Sequence, residues 1–242
     1  GFNHNNQSLR VVDSLEQRYS GHPGLNLTFE VREGIAKHET KTKLDRPEFA
    51  AHHHPTLEAS LVDMADEIAY NAHDIDDGLR ARMISLADVR SLDIVRGIAM
   101  FDEQASDHEQ QNDLVRALVN ILATDVLLET NRRLELNRIS RIDDVYQSPE
   151  RLCGYSEHVG TQVIELKAFL RQRIYRHERL VVMSGRAREI IETLFARFNS
   201  SPEKMPVRYQ AMLQSERKEL VIADYIAGMT DRYAEKVFAA GC

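Results

Sequence analysis

Asp66, Tyr70 and Asp74 stand at positions i, i+4 and i+8. In a helix that spacing stacks three side chains along one face, about 6 Å apart at each step. A carboxylate at the first position can ligate a hard divalent cation such as Mg²⁺ or Mn²⁺. A phenol followed one turn later by a second carboxylate can pack on a sugar ring and accept a hydrogen bond from its hydroxyl. The three residues belong to the stretch from Leu57 to Leu79, which contains no Lys or Arg. At about 100° per residue, Leu57, Leu61, Met64, Ile68, Ile75 and Leu79 fall on one stripe. Asp63, Glu67 and Asp77 join Asp66, Tyr70 and Asp74 on the opposite side. Like charges four apart repel by a few tenths of a kcal/mol, so a solvated face normally mixes signs. A plain solvent face and a face that meets a cationic ligand both account for the pattern.

Four further clusters invite a chemical reading. The opening run His4-Asn5-Asn6-Gln7-Ser8-Leu9-Arg10 gathers imidazole, amide and guanidinium groups at a helix start, where phosphate can bind. An N-cap with a polar surface explains it as well. Lys37-His38 ends a second helical pattern, where cations suit the dipole, and a phosphate contact is the sharper alternative. His52, His53 and His54 are consecutive and cannot all point at one ion, so they read as a loop. Between Arg171 and Arg188 six arginines interleave with Tyr175 and His177. That is the one plausible patch for single-stranded nucleic acid or another polyanion. The solvated side of a helix hairpin, or a subunit contact, is the preferred explanation. There is no Gly-rich phosphate loop, zinc-type Cys/His spacing or nucleophile elbow.

The elements that must position these groups read as helices. Strand alternation is nearly absent and Gly and Pro number 11 and 6, which favours an all-α class. Helical patterns cover His4–Tyr19, Thr28–His38 with Val31 and Ile35 inward, 57–79, 86–101, 108–136, 156–176, 178–198 and 216–239. The segments at 156–176 and 178–198 are expected to pair antiparallel. A long polar loop occupies Thr40 to Pro55, and Gly78 is expected to weaken the end of the acidic helix. A boundary near 102–110 would divide 1–105 from 106–242, with one continuous body as the alternative. The formal charge of −7 argues against a chain-wide nucleic-acid or membrane footprint. Two cysteines, Cys153 and Cys242, are too few for a disulfide framework and point to a reducing, cytoplasmic setting. No apolar run approaches a membrane span. The chain opens on Gly1 and enters a helix within a few residues, so its start reads as cut.

Five blocks in order resemble one family. GFNHNNQSLR at 1–10, GLNLTFEVREGIAKH at 24–38, PTLEASLVDMADEIAYNAHDIDDGLR at 55–80, ELKAFLRQRIYRH at 165–177 and VIADYIAGMTDRYA at 221–234 are similar to the deoxyguanosinetriphosphate triphosphohydrolase-like proteins of the HD superfamily. The resemblance runs nearly end to end. It implies an HD-domain-like helical bundle with a C-terminal helical extension, in which a dNTP is cut to deoxynucleoside and triphosphate. It implies that Asp66 is the last of four metal ligands, and that Tyr70 and Asp74 pack on the deoxyribose and read its 3′-hydroxyl. By the same resemblance Asn5 and Lys37 match phosphate contacts, and His4 lies where relatives place an active-site His. Family members are commonly homo-oligomers. The family's early His, adjacent His-Asp pair and the Gly-His-Pro-Pro-Phe-Gly-His stretch have no counterpart in this chain. The divalent-cation site is therefore expected to be incomplete and the chain as given inactive. Another HD-type phosphohydrolase, or a non-catalytic helical module binding nucleotide, nucleic acid or its own copies, are the alternatives.

Overall fold

The computed structural model describes residues 3–38, 46–98 and 105–241. Among them the regular structure is helical throughout, twelve α-helices with short 3₁₀ and π turns. The chain forms two compact units, 1–174 and 175–242. The division falls after Ile174, not near 105, because the long helix that follows residue 105 packs onto the acidic helix before it.

In the first unit the acidic helix, α3 (Leu57–Arg80), follows α1 (His4–Arg10) and α2 (Phe29–Lys37). Thr56 starts α3 by accepting a hydrogen bond from the Ala59 amide, which satisfies a donor that has no partner within the helix. Ile68, Ala72 and Ile75 of α3 are buried. They face the i, i+4 row Leu114, Leu118, Leu122 and Val126 of α6 (Asp107–Leu136), also buried. Each of the Ile, Leu and Val side chains contributes roughly 1.5–3 kcal/mol on burial. Gly78 does not merely weaken the helix end. It lets Ile84 and Ile174 approach, since a Cβ there would lie 2.5 Å from Ile174 Cδ1. The short helices α4 (Leu86–Arg90), α5 (Asp93–Arg96) and α7 (Ile142–Gln147) complete the unit with α8 (Glu157–Arg173), which packs on α3 and α5. Helix α7 had no separate periodic signal in the sequence. The shorter helices expected within 86–101 are α4 and α5, and the last residues of that range lie outside the described set.

The first expected helix stops early. After Arg10 the backbone loosens into a π turn at Val11–Leu15 and is extended at Glu16. The cause lies across the turn. Gly24, at φ +70°, packs so close to the Asp13 carbonyl that a Cβ would sit 2.3 Å from it. The Leu25 amide donates to the Val12 carbonyl at 2.7 Å. Only glycine tolerates both that angle and that approach. The inward face of α2 also differs from expectation. Val31 is 49% exposed, Ile35 is partly buried, and the buried residues are Glu33, Ala36 and Lys37.

The second unit has its own core. In α9 (Glu178–Ser200), Ile190, Leu194 and Phe198 pack with Met205, Val221, Ile222 and Tyr225. The chain then forms α10 (Val207–Met212), α11 (Lys218–Ala227) and α12 (Asp231–Ala239). The single final helix expected at 216–239 is broken, because Gly228 ends α11 and Thr230 caps α12 through the Tyr233 amide. The expected pair of α8 and α9 is divided between the units, each helix packing within its own.

A largely buried carboxylate secures the loop before α8. Glu129 accepts hydrogen bonds from Arg132 and Arg133, each as short as 2.7 Å. Arg133 in turn donates to the Arg151 and Tyr155 carbonyls. The Arg132 hydrogen bond, followed by Arg133, outweighs burial and holds the Glu129 carboxyl down at about 2. A depressed carboxyl stabilises the fold above its ordinary value of 4.5 and loses that contribution as pH falls toward 2. Replacing Glu129 with Gln is expected to flatten the decline of Tm between pH 4.5 and 2, read by thermal melts across that range.

Candidate functional site

The site is built where the C-terminal end of α2 meets the first half of α3. Helix C-termini leave carbonyls without intrahelical donors. Here Asn5 of α1 supplies them, its Nδ2 donating to the Ala36 carbonyl at 3.1 Å and the His38 carbonyl at 2.7 Å. Both amide protons are thus used to hold the end of α2. Asn5, read from sequence as a phosphate contact, stands beside the site and fixes its backbone.

His38 caps α2 and turns its ring onto α3. Its Nδ1 lies 2.6 Å from Asp63 Oδ1, and its Nε2 lies 3.9 Å from Asp66 Oδ2. A carboxylate only accepts, so Nδ1 is the protonated nitrogen in the Asp63 bond. His4 stands edge-on to the His38 ring with centroids 6.5 Å apart. Asp63, which the sequence left among the solvated acids, is therefore a partner of the site, and His38 joins it. Their only sequence signal was a cationic pair at a helix end and one acid among five on a face.

Asp66, Tyr70 and Asp74 share α3 as the spacing predicts. The Asp66 side chain is 67% exposed and Tyr70 is 55% exposed, while Asp74 is partly buried. Two of their acidic neighbours are paired, one with another helix and one with the end of α3 itself. Lys167 of α8 meets Glu67 at 2.7 Å. Asp76 pairs with Arg80 and accepts from Gln111 of α6. Burial works to raise the Asp76 carboxyl, but Arg80 and Gln111 prevail and lower it.

Lys37 is nearly buried, and its Nζ donates to Glu33 Oε1 and the His52 carbonyl, both at 2.7 Å. Glu33 Oε1 also meets His52 Nδ1 at 2.8 Å, and the His52 ring stacks on Tyr146 with centroids 3.7 Å apart. Glu33 Oε2 is buried with no hydrogen-bond partner. One member of the histidine run is thus a structural ligand of a buried acid, as a loop reading allows. His54 is pushed toward the neutral form, first by burial and then by Arg151.

Among the described residues no three His, Cys, Asp or Glu side chains are arranged to hold a metal ion. Asp66 offers one oxygen donor of the right chemistry, so these residues do not by themselves fit a catalytic cation. In the arginine-rich stretch, Arg173 pairs with Asp88, while Arg186 pairs with Glu189 and lies over the Phe238 ring. No helix among the described residues is long and apolar enough to cross a membrane.

A helical frame that sets one acidic helix face beside a carboxylate-held histidine is the setting in which the comparisons fall. The sequence profile of the phosphohydrolase-associated domain matches residues 153–240. A deoxyguanosinetriphosphate triphosphohydrolase-like protein of Nitrosomonas europaea is 43% identical over 97% of this chain and 64% of its own length. One from Azoarcus sp. strain BH72 is 40% identical over the whole chain and 66% of its own length. One from Leptospira interrogans is 36% identical over 98% of the chain and 65% of its own length. The chain is similar to these deoxyguanosinetriphosphate triphosphohydrolase-like proteins along nearly its whole length and spans slightly under two thirds of theirs.

Lys37→Met would leave Glu33 charged, buried and short of its cation. A loss of about 3–5 kcal/mol is expected, measured by urea unfolding, with part of it recovered in the Glu33→Gln/Lys37→Met double variant.

Proposed function

We propose that the protein carrying this chain is a phosphohydrolase that cleaves a dNTP into a deoxynucleoside and triphosphate. The observation behind this reading is the solvent-facing row of Asp66, Tyr70 and Asp74 on α3, with His38 and His4 beside its first member. The names of its relatives support the same substrate class. Asp66 is the ligand this chain would contribute to a divalent cation, Mg²⁺ or Mn²⁺. The ring of Tyr70 packs on the deoxyribose, and Asp74 accepts a hydrogen bond from the 3′-hydroxyl. A 2′-hydroxyl would meet the Tyr70 ring, so ribonucleotides are disfavoured sterically. His4 donates toward the phosphates. Lys37, paired with Glu33 and bonded to the His52 carbonyl, acts by holding the end of α2, and Asn5 acts by holding His38 in place.

The test is product analysis with the complete protein, dGTP and Mg²⁺ or Mn²⁺, by anion-exchange chromatography. Intact triphosphate with deoxyguanosine is expected, whereas diphosphate or stepwise loss of phosphate would refute the reaction class. Asp66→Asn is expected to abolish turnover while leaving the melting temperature near that of the parent, because the side chain faces water. Tyr70→Ala is expected to raise relative activity on GTP over dGTP by on the order of 10-fold or more. Unchanged selectivity would remove Tyr70 from the sugar site.

A further inference from the structure

Two anchors hold His38. Its carbonyl is taken by Asn5, and its Nδ1 proton by Asp63 at 2.6 Å. A ring fixed at one nitrogen by a carboxylate has its other nitrogen aimed, which is the arrangement by which carboxylates orient working imidazoles. Nε2 is aimed at the carboxylate of Asp66, 3.9 Å away. That distance exceeds a hydrogen bond, so the Asp63 bond decides where the ring points. Asp63 itself is largely withdrawn from water, its side chain 17% exposed against 67% for Asp66 one turn further on. The two acids on neighbouring positions of α3 are thus set apart, one to hold a histidine and one to face solvent.

We infer that His38 meets the phosphate end of the ligand served by Asp66 through Nε2, and that Asp63 is its positioning residue. The inference rests on the triphosphohydrolase reading and names two residues that the family resemblance did not supply. Asp63 acts through the ring alone. Its removal should therefore add little once His38 is gone.

Kinetics on the complete protein test this with His38→Ala, Asp63→Ala, Asp63→Asn and the double variant His38→Ala/Asp63→Ala. His38→Ala and Asp63→Ala are expected to lower kcat for dNTP cleavage about 10- to 100-fold, with KM changed by less than about 3-fold. Asp63→Asn keeps an oxygen that accepts from Nδ1 and is expected to recover most of kcat. The double variant is expected to match His38→Ala. Multiplying effects in the double variant, or full kcat in His38→Ala, would overturn the inference while leaving dNTP cleavage intact. A second readout needs no turnover. In ¹⁵N spectra of this chain, inorganic tripolyphosphate is expected to shift the His38 Nε2 resonance, and Asp63→Ala is expected to remove that shift. Absence of the shift in the parent chain overturns the inference. Failure of the complete protein to release triphosphate overturns the proposed reaction, and the spectra then decide His38 alone.

Discussion

The packing of α3 against α6 decides which side of the acidic helix meets water. Ile68, Ala72 and Ile75 are held against Leu114, Leu118, Leu122 and Val126, and a helix with one face buried has no freedom to rotate. At 3.6 residues per turn the row Asp66, Tyr70, Asp74 must then point away from α6. Gly78 extends the same constraint to the end of α3 by letting Ile84 and Ile174 close over it. Every feature of the site depends on that fixed rotation, including the distance from Asp66 to the ring of His38.

A fixed acidic face then needs counter-charges, and they come from other elements and from the last residue of the helix, Arg80. Lys167 of α8 takes Glu67, Arg80 and Gln111 take Asp76, and His38 takes Asp63. These pairings sort the face into acids that hold the fold and an acid that faces solvent. They also limit repulsion among carboxylates spaced four apart, with Arg80 at the helix end the cation that α3 itself supplies. The absence of Lys and Arg between Leu57 and Leu79 is thus explained in large part by neighbours distant in sequence.

Helix α2 solves a different problem. Its inward face is polar, with Glu33 and Lys37 buried and Val31 turned out. A buried charge is tolerated only when paired and hydrogen-bonded. Glu33 is paired with Lys37 and His52, and His52 is braced by Tyr146. The cluster secures the helix end from which His38 projects, while Asn5 closes the carbonyls there. Positioning of the histidine is therefore a property of three segments distant in sequence, and none of them carries it alone.

Much was legible from sequence because it depends on short-range rules. The all-α class, the extent of α3 to within a residue or so, the shared face of Asp66, Tyr70 and Asp74, and the long α6 all follow from a 3.6-residue period and local capping groups. The family was legible too, since its blocks are local strings. What the sequence could not show is set by approach between distant segments. The early end of α1 needs the contact between Gly24 and the Asp13 carbonyl, and the inward turn of Glu33 and Lys37 needs His52. The division after Ile174 needs the seating of α6 on α3. Asp63 and Asp77 are alike in type and setting on the chain. Only the tertiary structure separates them, because it brings His38 against the one and leaves the other exposed.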